Sequence, residues 1–214
     1  MESKSETLNE QVQFAYELYK LSDEQKEELK DRIKKFDGLI RVFVHPLAVR
    51  ADDKPIENHD RVLKILGRTL SSENAPPIIV LENSSRIEEW KESRGDKSSV
   101  AHDVYVVPTI RDYPYPLIDG KSEPSKDDSG CLRDEDFTYV EEGFKNFVEF
   151  LNSIGVKKVL VGGTSLEIRE DHITRCVGIF IQFMKQYSDA ELKMSLGTAP
   201  TNRTDIKAIH PELL

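Results

Sequence analysis

The sequence predicts an α/β fold: a three-layer, doubly wound and mainly parallel sheet of about five strands, preceded by an N-terminal helical hairpin. Three observations predict it. The runs "GLIRVFV" (38–44), "PPIIVL" (76–81), "DVYVVP" (103–108) and "KKVLVGG" (157–163) are short, apolar and free of clean alternation. That pattern suits strands buried on both faces, as in a parallel sheet. Stretches of helical period lie between these runs, so strand and helix alternate along the chain. Finally, 214 residues suit one domain with a real core rather than two.

Residues 1–36 read as two consecutive amphipathic helices. Thr7-Leu8-Asn9-Glu10 and Ser22-Asp23-Glu24-Gln25 each fit a capping box, in which the first and fourth side chains trade bonds with orphan backbone groups. Leu8, Val12, Ala15, Tyr16 and Tyr19 share a face of the first, and Leu29, Ile33 and Phe36 a face of the second. This hairpin forms an appendage, 1–36, that covers the core or offers a surface for homo-oligomer formation. The α/β domain then spans 37–214.

Within that domain, helices are expected at roughly 57–70, 85–93 and 138–153, with a last one ending near 187. The helix at 138–153 has Thr138 and Glu141 as a capping box, Val140, Phe144, Phe147, Val148 and Leu151 at helical spacing, and Gly155 as a left-handed stop. The last helix starts at Ser165 or at Asp171. Its centre, "CVGIFIQFM" (176–184), is apolar almost all round and implies packing on several sides, with Gly178 admitting a close neighbour. "ELKMSLG" (191–197) is more polar and reads as an edge strand. Residues 110–136 hold three prolines and two glycines, a connection long enough to be a lid or binding loop. Tyr113 and Tyr115, set between prolines, are expected to pack on something, and 121–129 to be mobile.

Composition narrows the function classes. Thirty Lys+Arg against 39 Asp+Glu give a net charge of -9, a sign that repels a phosphate backbone, and no dense basic patch offsets it. Nucleic acid is therefore not an expected partner. No apolar run approaches the roughly 20 residues that span a bilayer, and "MESKSETLNE" lacks the basic-then-apolar order of a secretory signal. A cytoplasmic location without membrane contact is expected. Cys131 and Cys176 form no CxxC, and the five histidines form no HxxxH or HxH pair, so neither a disulfide framework nor a metal site is expected. No pattern points to a particular cofactor.

In an open α/β sheet, ligands bind beyond the carboxyl ends of the strands, where strand order reverses. Those ends carry His45-Pro46, Glu82-Asn83-Ser84-Ser85, Thr109-Ile110-Arg111-Asp112, Gly162-Gly163-Thr164-Ser165 and, after the edge strand, Gly197-Thr198. If the last helix starts at Ser165, Thr164 caps it with Glu167 as partner, and the N–H groups beside Gly162 and Gly163 make a concave anion site. If it starts at Asp171, that anion site dissolves. Gly-Gly after a buried strand also serves simply to turn a corner. Arg111 offers a bidentate grip on a carboxylate or phosphate, with Asp112 orienting it or acting as base. His45 suits acid–base work at neutral pH. His172 and Cys176, four residues apart, would share a helix face, and a buried Cys is otherwise a small hydrophobe.

The segment from Phe137 to Ala199, with "SIGVKKVLVGGT", a helix containing "CV" and a strand ending in "GTAP", resembles the C-terminal half of the isochorismatase-like cysteine hydrolases. The resemblance implies Cys176 as a nucleophile at a helix N-terminus. This chain departs from that pattern in three ways: Cys176 stands thirteen residues beyond Gly163, His45 ends the first strand where the family has an aspartate, and no lysine matches the third role.

The expected function is binding of a small anionic molecule at the strand C-termini, through Gly162, Gly163, Thr164, Arg111 and Asn83. Hydrolysis or group transfer there would use Asp112, Glu82 or His45 as base. The alternatives are a non-catalytic interaction domain, using the N-terminal helices and the "YPYP" loop, and a diverged isochorismatase-like fold without its catalytic set.

Overall fold

The computed structural model describes residues 12–47, 59–91, 102–111, 113–127, 131–164, 167–169 and 172–195. In chain order the elements are β1 (Val12–Glu17), α1 (Asp23–Lys35), β2 (Leu39–Val44), α2 (His59–Leu70), β3 (Ile78–Asn83), α3 (Ile87–Lys91) and β4 (His102–Thr109). They continue with α4 (Phe137–Ser153), β5 (Lys158–Gly163), the short β6 (Glu167–Arg169) and β7 (His172–Thr174), α5 (Arg175–Tyr187) and β8 (Glu191–Met194).

The large sheet has six strands in the order β1-β4-β3-β2-β5-β8, and every neighbouring pair is parallel. The parallel α/β class read from the apolar runs is the one observed. Alternate residues of each central strand point to opposite faces. Ile40, Val42 and Val44 of β2 meet α1, α4 and α5 through side chains such as Ile33, Phe147 and Phe180. Phe43 of the same strand meets α2 and α3 through Leu66 and Trp90. Two cores, one on each face, make the three layers.

Outside residues 164–175, two elements differ from expectation. Residues 12–17 are not a helix but the edge strand β1, paired with β4 from Val12↔His102 to Glu17↔Val106. "VQFAYE" alternates in sequence as well as it fits a helical stripe, and without β1 the outer edge of β4 would be left without backbone partners. The helical hairpin is thus reduced to its second helix, α1, whose capping box is present: Gln25 N–H donates to Ser22 Oγ at 3.2 Å and Ser22 N–H to Gln25 Oε1 at 2.9 Å. Thr7-Leu8-Asn9-Glu10 lies outside the described residues. The second difference is at α4, which starts at Phe137 after a short 3-10 turn, so Thr138 sits inside the helix and does not cap it.

The 110–127 connection is built into the fold. Tyr113 and Tyr115 stack with ring centroids 5.4 Å apart, and Tyr115 packs edge-on against Phe144 of α4 and Phe183 of α5. Gly143 permits this, since a Cβ there would stand 2.3 Å from the Pro116 carbonyl oxygen. Past Lys121, expected to be mobile, Glu123 accepts from Ser84 Oγ at 2.9 Å and from the Arg111 N–H at 2.5 Å. Lys121 itself pairs with Glu142 at 2.6 Å.

Candidate functional site

The chain runs from β2 through β3 to β4 in one direction, then returns over the sheet along α4 to place β5 on the other side of β2. Strand order therefore reverses between β2 and β5, and the crevice beyond their C-terminal ends is the topological switch point. Phe43↔Gly162 and Val44↔Gly163 are the last pairs before it.

The buried polar groups of the described residues gather at this end. Among the described residues the buried polar side chains are His45, Thr69, Glu82, Thr109 and Thr164. All but Thr69, which serves Arg41 on α2's face of the sheet, stand at the C-terminal tips of β2, β3, β4 and β5. Buried polar groups persist only when hydrogen bonds offset their desolvation.

His45 is the hub. It follows β2 directly, is 2% exposed, and has a φ of 48°, a left-handed conformation that costs a non-glycine residue about 1 kcal/mol. Three bonds hold it there. Its N–H donates to the Leu81 carbonyl at 2.8 Å, its own carbonyl accepts from Thr164 Oγ1 at 2.6 Å, and its Nε2 shares a hydrogen bond of 3.0 Å with Thr109 Oγ1. One strained residue thereby ties the tips of β2, β3, β4 and β5 together.

Glu82 closes β3 and is wholly buried. Its Oε1 accepts from the Asn83 N–H at 2.9 Å and its Oε2 from the Leu47 N–H at 3.3 Å. Burial, the largest effect, pushes its pKa up from 4.5 to about 7, while those two bonds and the nearby Arg86 charge pull the other way. The Arg86 guanidinium donates to the Leu47 carbonyl, so one residue, Leu47, pins the loop after β2 to both the carboxyl and the cation. Trp90 Nε1 lies close to the same carboxyl without a hydrogen-bond partner.

The second of the paired glycines lets the chain turn a tight corner. A Cβ on Gly163 would stand 2.3 Å from the Val44 carbonyl oxygen and 2.7 Å from Val177 Cγ2, so glycine is what lets β2, β5 and α5 close together. Among the described residues, the next element after Gly163 is a strand and not a helix. Glu167, Ile168 and Arg169 pair antiparallel with Thr174, Ile173 and His172 as the β6–β7 hairpin, in keeping with the β-branched residues at 168, 173 and 174. Thr164 therefore caps nothing, and its hydroxyl is spent on His45. Gly162 is buried opposite Phe43.

The helix expected in this region starts at Arg175, in left-handed conformation with φ 62°. Its first turn reaches the switch point through Val177. The hairpin takes up the extra residues between Gly163 and Cys176, leaving Cys176 half-buried at the head of α5 and close to Tyr115. His172 belongs to β7, so the shared helix face with Cys176 does not form.

Of the other expected residues, Asn83 stands at the tip of β3 with its N–H committed to Glu82. Arg111 is exposed, just past β4, its N–H held by Glu123. Asp112, Gly197 and Thr198 lie outside the described residues. Thr109, named in the sequence only as the start of the strand end 109–112, is buried and bonded to His45, and its place as the last residue of an apolar strand is the signal for that role. Family models, curated proteins and solved structures give no match to this chain.

Proposed function

We propose that the chain binds a small anionic molecule at the C-terminal tips of β2, β3 and β5 and acts on it by hydrolysis or group transfer. Glu82 is the residue that exchanges the proton. The carrying observation is a wholly buried carboxyl with a pKa of about 7 at the tip of a central strand. A group that titrates near ambient pH is the efficient general acid or base, and buried carboxyls perturbed in this way gather at functional sites. His45, strained and multiply bonded, positions the surrounding backbone. Preference for an anion is supported by the first turn of α5, which reaches Gly163 through Val177, because a helix N-terminus carries partial positive charge.

A thermal-shift panel on the full chain tests this, using inorganic phosphate and phosphorylated and carboxylated metabolites at acid and alkaline pH. A ligand at 100 times its Kd is expected to stabilise by about 2.7 kcal/mol, with a pH dependence that Glu82→Gln removes. If no anion stabilises the chain, or the effect is the same in the variant, the reading fails.

Cys176 at the head of α5 favours a second reading, covalent catalysis with its thiol as nucleophile, as the family resemblance implies. Retained binding but lost turnover in Cys176→Ser would select it. A purely interacting role has less support, because the rings of the "YPYP" loop pack inward on α4 and α5.

A further inference from the structure

β3 sorts its side chains by face. Ile79 and Leu81 belong to the core beneath α1, α4 and α5, and Ile78 and Val80 to the core beneath α2 and α3. Alternation along a strand carries Glu82 to the second face, where Trp90 of α3 and Leu47 also pack. A carboxyl and an indole thus meet in an apolar layer.

Both are sealed from water. Glu82 is 0% and Trp90 2% exposed, and the Trp90 Nε1–H has no hydrogen-bond partner. A buried donor left unpaired is a cost that native folds rarely keep. The Glu82 carboxyl lies beside that N–H and is the group able to remove the cost. Two of its acceptor positions are taken by the N–H groups of Asn83 and Leu47. An ionised carboxyl offers about four such positions, whereas a protonated one gives up part of that capacity to its own proton. The carboxylate therefore has room for the indole N–H, and it is also the stronger acceptor.

The surroundings leave this pairing little competition. Among the described residues, Arg86 from the turn before α3 is the cation whose charge acts on the carboxyl. β4 sets Pro108 opposite Glu82, α2 brings Leu66 and its apolar neighbours to the same face, and the His45 ring is engaged by Thr109.

We propose that Trp90 is a positioning residue for Glu82: its Nε1–H donates to the carboxylate once Glu82 gives up its proton and is released when the proton returns. The indole then sets how readily the base is regenerated, acting through Glu82 and not on the ligand. This deepens the reading above and rests on Glu82 being the group that exchanges the proton.

Trp90 is the chain's only tryptophan, so a single indole N–H signal reports on it. The test is an NMR titration of the full chain from about pH 5 to about pH 10, with nitrogen label in the indole and carbon label in the glutamate carboxyls. The Glu82 signal is the one missing from Glu82→Gln. In wild type the indole proton is expected to move downfield with the same midpoint as the Glu82 carboxyl, and in Glu82→Gln to stay still. Trp90→Phe keeps a ring and removes the donor. It should raise the Glu82 midpoint by about one pH unit, a tenfold gain in proton affinity from the loss of one charge-assisted bond. A residue that merely filled space would change stability and leave that midpoint in place. Should Trp90→Phe not fold, the wild-type titration decides by itself. The proposal is overturned, with Glu82 still standing as the proton-exchanging group, if the carboxyl titrates and the indole does not follow, or if Trp90→Phe leaves the midpoint unchanged. A Glu82 carboxyl that does not titrate in this range overturns both readings.

Discussion

At the end of the sheet where β2 and β5 begin, the polar groups stand in water. Lys34 and Lys157 line an open hollow of about 460 Å³ and both are exposed, and Lys158 reaches Asp37 at 2.6 Å across the surface. At the opposite end, where the same two strands finish, His45, Glu82, Thr109 and Thr164 are inside. Exposed lysines ask nothing of the fold, and a surface ion pair contributes under about 1 kcal/mol. Buried polar groups ask for hydrogen bonds, a strained φ at His45 and a perturbed carboxyl. The difference teaches where the molecule departs from what stability alone would select: at the strand C-termini, on both sides of the switch point.

The largest expected break of this contrast is Gly163→Ala. Its Cβ would meet the Val44 carbonyl oxygen at 2.3 Å and Val177 at 2.7 Å, backbone on one side and a packed side chain on the other. A loss of about 3 kcal/mol is expected in denaturant unfolding, with the tips of β2 and β5 moved apart. A smaller effect comes from Thr164→Val, which removes the 2.6 Å bond to the His45 carbonyl and leaves that acceptor buried. About 1–2 kcal/mol should be lost, and NMR should report the change at residue 45. The smallest belongs to the other end. Lys34→Ala and Lys157→Ala should each change stability by no more than about 0.5 kcal/mol, and a larger change would mean that the basic hollow is structural too.

Much of this architecture was legible in the chain because strands buried on both faces cannot hide their apolar character. β2, β3, β4 and β5 read as unbroken runs for that reason, and their tips, with His45, Glu82 and Asn83, followed from the fold class. β1 escaped because a short segment such as "VQFAYE" fits two periods, and only the vacant edge of β4 decides between them. The β6–β7 hairpin escaped because Thr164 and Glu167 also spell a capping box, while the choice between cap and hairpin rests on pairing across residues 167–174. Glu82's titration was beyond any sequence pattern. It arises from complete burial under α3, the loop after β2 and the neighbouring strand tips, a consequence of packing.

The central claim is that Glu82 keeps its proton in the folded chain until pH nears 7. Its folded pKa of about 7 exceeds the ordinary 4.5, so the unfolded chain ionises first. Stability from this group is whole below about pH 4.5, declines as pH rises and levels off above about pH 7. The direct measurement is the denaturant unfolding free energy of wild type and Glu82→Gln from pH 5 to pH 8. Wild type should lose about 2–3 kcal/mol more than the variant over that range. Parallel pH profiles for the two proteins would contradict the account.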